Sequence, residues 1–384
     1  MQSCQTHQKK PYGMLFFGAI ASMAFLLFLL RSDIAIEYMK KGLKLCAYTV
    51  IPSLFPFMVI SELIISSGVG QKLGRVLARP IGWLFGVSES GACAFVLGAI
   101  CGFPIGARTL CTMQDRGLIS QKELERVLTF CNNPGSAFVI SAVGVALFGS
   151  RELGVMLYTC VLLSAVTVGV AGRLFFKKDV GTEKAARRVN PQPSHTGVYL
   201  FTSAIQGSAS SMLTVCSYVA FFSSFVGCLG AILSSCRLSD AALSSIFGFF
   251  ELSSGVGVAA NVSSPTAAIL LCSAFLGWSG LSVHAQIITI CAGRGISFKP
   301  YFIAKAAQGL ICAVLMGIFL KLFPISEKAF AQMQQTALHS APYTNAAFVC
   351  IVFFAATILP LIFCTPLRAL KNISKKQKYF SKRG

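Results

Sequence analysis

Long apolar runs interrupted at a few polar points set the pattern of this chain. Gly13 to Leu30 carries no charge and predicts a first membrane span. Ala19-Ile20-Ala21 has the look of a leader cleavage site, but the apolar run continues past it, which predicts a retained span. Ile34 to Thr49 has helical periodicity with Glu37, Lys40, Lys41 and Lys44 on one side, the pattern of a helix lying at the membrane surface. Val50 to Val69 predicts a second span, with Pro52 and Pro56 in its first turns and Glu62 in mid-run. A basic loop (Lys72, Arg75, Arg79) and a short apolar piece around Trp83 come next. Ser120-Gln121-Lys122-Glu123 reads as a capping box that opens a helix running to about Phe148. Further spans are predicted at Leu153–Ala171, Ser211–Leu233, Ala242–Ala259, Phe302–Phe323 and Asn345–Phe363.

Two apolar runs are broken from within. Ala92 to Met113 contains Gly102-Phe103-Pro104-Ile105-Gly106-Ala107-Arg108, and Ala267 to Ala292 contains Gly280-Leu281-Ser282-Val283-His284-Ala285-Gln286. Proline lacks an N–H and glycine weakens a helix, so the first break is expected on local grounds. Broken backbone at membrane depth survives only where it is buried in protein or lines a wet cavity. Gly102 precedes Arg116-Gly117 by the same distance as Gly280 precedes Arg294-Gly295. Upstream, Glu62-Leu63 followed by Ser66-Ser67-Gly68-Val69-Gly70 echoes Glu251-Leu252-Ser253-Ser254-Gly255-Val256-Gly257. Such weak internal symmetry around paired breaks predicts a repeat-built carrier.

Composition narrows the class. Of 384 residues, 55% are hydrophobic and only 12% charged, about half the charged share of a soluble domain. The net charge of +20 is concentrated in the stretch Arg173 to Arg188 and in the tail Arg368 to Gly384. Basic clusters beside spans mark the cytoplasmic side. With no compact polar domain to form a groove, nucleic acid is not expected as a partner. The charge bias places the N-terminus, linker, tail and both broken segments inside. An inverted repeat needs the broken segments on opposite sides, so either one more crossing exists near Ile34–Thr49 or the repeats are parallel. The 15 cysteines contain no Cys-x-x-Cys pair and lie mostly in apolar runs, where cysteine acts as a small hydrophobe.

Glu62 and Glu251 are candidates for ion coupling or gating, because a mid-span carboxylate is costly and is retained when paired, hydrated or protonated. Na+ or H+ is the expected coupling ion; the alternative is that each glutamate caps or bridges a helix break. Arg108 suits an anionic substrate group, since guanidinium binds carboxylate bidentately. The backbone opened at Gly102, Pro104 and Gly106 adds a half-helix N-terminus to that pull. The rival reading pairs Arg108 with Glu62 or lets it reach the interface. Ser282, His284 and Gln286 offer polar groups in the second broken segment, and His284 is a potential proton relay or an ordinary interhelical histidine. Asn132 and Asn133, beside Pro134-Gly135, offer amides at another helix break. No phosphate loop, metal cluster, cofactor motif or nucleophile–base pair occurs, so an enzyme is the least favoured class.

Pro52-Ser53-Leu54-Phe55-Pro56-Phe57 with Ser61-Glu62-Leu63 resembles the YlbJ-type sporulation integral membrane proteins. So do Gly102–Ala107, Asn132-Asn133-Pro134 and Gly280–Gln286. These belong to the wider nucleoside-recognition (Gate) domain proteins, which are similar to concentrative nucleoside transporters. The likeness spans roughly Gly42 to Leu320. Phe103 and Arg108 stand where the family more often has Tyr and Lys, and the asparagine motif lacks the usual Asn-x-Ser-Asn-Pro form. The resemblance implies a role in spore formation. It also implies movement of dipicolinate, an aromatic dicarboxylate, across the mother-cell-derived outer forespore membrane. The Gate name points instead to nucleosides carried with a cation, and a non-transporting assembly or signalling protein of sporulation is the rival class.

The expectation is therefore an all-α, polytopic membrane protein with two structural repeats and two broken-helix re-entrant hairpins. Residues 1–172 form the first repeat, 173–197 a basic cytoplasmic linker, 198–366 the second repeat and 367–384 a basic tail. The expected partners are a small-molecule anion and the lipid bilayer, with a homo-oligomer or other sporulation membrane proteins left open.

Overall fold

The structure is a computed structural model that describes residues 12–67, 80–175, 197–233, 236 and 238–323. The predicted span Asn345–Phe363, the basic tail, the loop with Lys72, Arg75 and Arg79, and most of the linker lie outside the described residues. Within them the fold is all-helical. Helices α1 (Tyr12–Leu30), α2 (Ser32–Leu45) and α3 (Ile51–Ser66) come first. Next are α4 (Glu89–Cys101), α5 (Ile105–Asp115), α6 (Gln121–Cys131), α7 (Ala137–Leu147, π-helical) and α8 (Arg151–Phe175). Helix α9 (Gly197–Leu233) leads to α10 (Asp240–Phe250), α11 (Leu252–Ala259), α12 (Pro265–Trp278), α13 (Gly280–Ile290) and α14 (Lys299–Leu322).

Four described helices are long and apolar enough to cross a membrane: 151–174, 197–233, 265–290 and 299–322. The pair α1 and α2, bent by 99° after Leu30, makes up to five. On α14 the outward face is apolar, with Ile303, Leu310 and Val314 at 71%, 71% and 63% exposure, while Lys305 and Gln308 are buried. That reversal of a soluble helix is what lipid demands, because only the protein interior can satisfy polar groups at membrane depth.

The amphipathic stretch after Leu30 is continuous with the predicted span that comes after it. Helix α2 passes through a π-helical turn, Cys46–Val50, straight into α3. Pro52 and Pro56 cannot donate to the preceding turn, and a widened turn beside them accommodates the missing bonds. One face of α2 packs on α9, where Gly42 meets Ser223 and Ser224 Oγ donates to the Ala35 carbonyl at 3.1 Å.

Serine side chains cap several of the later helices. Ser88, Ser120, Ser239 and Ser264 accept the backbone N–H of Gly91, Glu123, Ala242 and Ala267, satisfying otherwise orphaned donors. The predicted capping box at Ser120 is only half formed. Buried Glu123 instead accepts the Ser88 N–H at 2.6 Å and ties the start of α6 to the start of α4.

Helices α4 and α5 fold back on each other as a hairpin with its tip at Gly102-Phe103-Pro104, Gly98 lying against Gly106. The second hairpin is not at Gly280, as the pairing of the two broken segments predicts, but at Glu251. Ser244 Oγ donates to the Gly255 carbonyl at 3.1 Å, and Gly255 lies against the Gly248 backbone, so α10 and α11 are antiparallel. Helices α12 and α13 run on as one 26-residue span interrupted at Ser279. Ser279 and Gly280, at φ 78° and 80°, turn the backbone there without reversing it. The expected helix from Ser120 to Phe148 is likewise split at Asn132–Ser136 into α6 and α7. The described chain thus runs hairpin, interrupted helix, long helix twice, over residues 89–175 and 240–322.

Candidate functional site

Each hairpin tip docks on the interruption of the helix that comes after it. Gly102, at φ 84°, leaves no room for a side chain against the backbone of Gly135. Phe103 N–H donates to the Asn133 carbonyl at 2.8 Å, and Ala107 N–H donates to Asn132 Oδ1 at 2.9 Å. At the other tip, Gly280 lies on the backbone of Phe250, Glu251 and Leu252, and Trp278 Nε1 donates to the Phe249 carbonyl at 3.1 Å.

A cavity lies where the two docked pairs meet. Phe103, Gly135 and Phe138 line it from the first pair, and Glu251, Ser253, Ser282 and Gln286 from the second, with α3 and α9 closing the side. It is only partly enclosed: the free space of about 520 Å³ between its walls includes open solvent, and about 40 Å³ of it is cavity proper. The helices α7 and α13 both begin at this cavity, so the positive ends of two half-helix dipoles face it. Ser282 Oγ and Gln286 Oε1 are buried and have no hydrogen-bond partner among the described residues. One turn apart on α13, they present one polar stripe.

The other candidates are placed elsewhere around these interruptions. Glu251 is 3% exposed, and its two oxygens accept the N–H groups of Ser253 (3.0 Å) and Ser254 (2.6 Å), capping α11 from the cavity wall. Glu62, by contrast, lies within the unbroken α3 and pairs with Arg108 Nε at 3.2 Å. The two glutamates of the similar motifs therefore occupy different environments. Ser253 and Ser254 come soon after Glu251, whereas Leu63-Ile64-Ile65 continues the helix past Glu62. Arg108 also donates to the Gly207 carbonyl at 2.7 Å and to Ser211 Oγ on α9, and it is not in the cavity wall.

Pro104, preceded by a cis peptide bond, starts α5, and Gly106 is pressed on the Cys131 carbonyl and Asn132 Oδ1. Asn132 and Asn133 are not in the cavity wall. Asn133 Nδ2 donates to the Phe130 carbonyl at 2.9 Å and its Oδ1 accepts from Gln308 Nε2 at 2.6 Å. His284 Nδ1 is 2.9 Å from the Tyr301 hydroxyl, its ring stacks edge-on to Trp278, and its Nε2 is buried without a partner. Phe103 lies inside the first broken motif without being singled out there, while Phe138, which also lines the cavity, and Lys305 and Gln308, which back the first interruption, escape a motif-based reading. For the last two the available signal is a lysine and a glutamine one turn apart inside an apolar run.

Comparison with known proteins adds a relative. The chain is 30% identical over 325 residues to the sporulation integral membrane protein YlbJ of Bacillus subtilis strain 168, covering 74% of this chain and 77% of the relative. The chain belongs to the YlbJ family of sporulation integral membrane proteins. No family model and no solved structure matches it. Membership agrees with the helical membrane architecture and with the resemblance carried by the motifs around Glu62, Gly102 and Gly280. It fixes the cellular setting as sporulation and leaves the chemistry to the cavity.

Proposed function

We propose that this membrane protein is a carrier, not an enzyme, and that its cavity holds a small aromatic metabolite in transit. Dipicolinate crossing the outer forespore membrane is the first candidate. The observation that carries the reading is the cavity between four helix interruptions, with Ser282 Oγ and Gln286 Oε1 unpartnered in its wall. Buried polar atoms without partners are costly in a scaffold and are expected where a ligand supplies the missing bond. Phe103 and Phe138 offer faces to an aromatic ring. The half-helix N-termini of α7 and α13 suit its carboxylates. Glu251 has its charge partly offset by the two amides it caps. Arg108 acts in this reading through its pairing with Glu62 and α9, as a lock on the first hairpin and not as the anion ligand.

A nucleoside is the second reading, favoured by one observation. The charged side chain in the wall is a carboxylate, and Glu251, Ser282 and Gln286 together match hydroxyl groups and an amide-edged base. Uptake by proteoliposomes containing the purified chain, with labelled dipicolinate and labelled uridine in parallel, separates the two. Saturable dipicolinate uptake weakened in Gln286→Ala supports the first; uridine uptake alone supports the second. Uptake of neither by correctly inserted protein overturns the carrier reading.

A further inference from the structure

Lys305 is buried to 1% exposure in the middle of the molecule, and none of the ion pairs of the described residues includes it. Its ammonium donates to the Asn132 carbonyl at 3.0 Å and to Gln308 Oε1 at 2.9 Å. The first acceptor is the carbonyl at the C-terminal end of α6, the negative end of a half-helix. Neutral oxygens at an unwound helix end are the ligands with which interrupted membrane helices hold a bare monovalent cation. Here the nitrogen of a side chain fills that position. The same interruption holds the first hairpin tip, because Asn132 Oδ1 and the Asn133 carbonyl take the N–H groups of Ala107 and Phe103. Gln308 Nε2 extends the network to Asn133 Oδ1. A change of charge at Lys305 therefore acts on the backbone that positions Phe103 in the cavity wall.

We propose that Lys305 takes the place of a bound sodium ion, so that this carrier works without sodium and is driven by protons exchanged at the Lys305 nitrogen. The inference rests on the carrier reading above. In the cycle the ammonium gives one proton to water in the state that opens its nitrogen to one side of the membrane, and the neutral amine takes one back in the state that opens it to the other. The titratable groups around it are Cys131 at the end of α6, Tyr301 and Cys312 on α14, and His284 on α13. Helix α8 adds Cys160, beside Cys312, and the non-titrating hydroxyl of Ser164, beside Gln308. None of these supplies a fixed negative charge at neutral pH, which leaves the carbonyl oxygens as the ligands of the ammonium.

The first test needs no substrate: binding of radiolabelled sodium and thermal melting of the full chain in detergent, in sodium chloride against N-methylglucamine chloride. The wild type is expected to bind no sodium and to melt at the same temperature in both salts. Lys305→Ala, which vacates the position, is expected to gain saturable sodium binding and a sodium-dependent rise in Tm. Saturable sodium binding by the wild type overturns the proposal, as does a folded Lys305→Ala that gains none. If Lys305→Ala does not fold, Lys305→Ser and the wild-type result carry the test. In proteoliposomes an imposed pH gradient is expected to drive dipicolinate or uridine uptake without sodium, and Lys305→Met to lose that drive. A requirement for a sodium gradient overturns the proposal. Absence of uptake of both compounds overturns the carrier reading, while the sodium measurement still judges Lys305.

Discussion

Glu251 takes a backbone N–H on each carboxylate oxygen at the turn between α10 and α11, and it is almost fully buried. Replacing it with alanine strands the two donors at the start of α11, at a cost of about 1–3 kcal/mol for each group left unsatisfied. Glu251→Ala is therefore expected to melt well below the wild type in detergent, and Glu251→Gln, which keeps one acceptor, to fall between them. Equal melting of all three would show that the cap contributes nothing. Ser282 and Gln286 are the converse case, since their oxygens have no protein partner to lose. Gln286→Ala is expected to leave Tm nearly unchanged and to raise the KM for the transported compound by about tenfold, the effect of one lost hydrogen bond of about 1.4 kcal/mol. A large drop in Tm would instead make Gln286 structural. At this scale the sequence was readable where a costly residue stood in an apolar run, as with Glu62, Arg108 and Glu251. The Arg108–Glu62 pair and the capping role of Glu251 were among the readings the sequence left open. The remaining partners come from distant segments and were not readable, Gly207 and Ser211 for Arg108 and Asn132 for Lys305.

The elements most constrained by close backbone contact are the two hairpins. In the second, Gly255 is pressed against Gly248 while Gly257, two residues along the same short helix, has open space around its Cα. This pair separates packing from helix propensity. Gly255→Ala forces the limbs apart and is expected to cost about 1–3 kcal/mol. Gly257→Ala is expected to be neutral or to gain about 0.5–1 kcal/mol from helix propensity. Thermal melting of the two variants decides it, and similar Tm values would contradict the close packing of α10 on α11. The periodic long helices were legible from their apolar runs, and the interruption at Gly102 from its glycines and proline. The nature of each interruption was not. Gly280 resembles Gly102 in sequence, yet one sits in an in-line break and the other at a hairpin tip. The path of the next helix makes the difference: Phe103-Pro104 leads into a helix that folds back on α4, whereas α13 continues the direction of α12. Local residue chemistry signals that a helix stops, and tertiary contacts decide where the chain goes next.

At the scale of the whole molecule, the two series of helices meet along a seam between α5–α6 and the end of α13. Cys111 and Cys291 lie with sulfurs 3.6 Å apart on it, both buried. Asp115 and Arg294 pair at 2.6 Å. Gln121 Nε2 donates to the Gly295 carbonyl at 2.8 Å, and Ser297 N–H donates to Glu125 Oε1 at 2.9 Å. A carrier that alternates access must move one unit against another, and this seam ties the limb behind the first hairpin tip to the helix that bears Ser282 and Gln286. The two thiols need approach only to the ordinary disulfide distance of about 2.05 Å to become a covalent clamp. Treatment of proteoliposomes with a membrane-permeant oxidant such as iodine is therefore expected to join Cys111 to Cys291, detectable by mass spectrometry, and to stop uptake. Reduction with dithiothreitol is expected to restore it, and Cys291→Ser to be insensitive to the oxidant. If the bond forms in most molecules and uptake continues unchanged, then α5 and α13 travel together. The moving boundary must in that case lie elsewhere, at the contacts of α3 and α9 with the cavity.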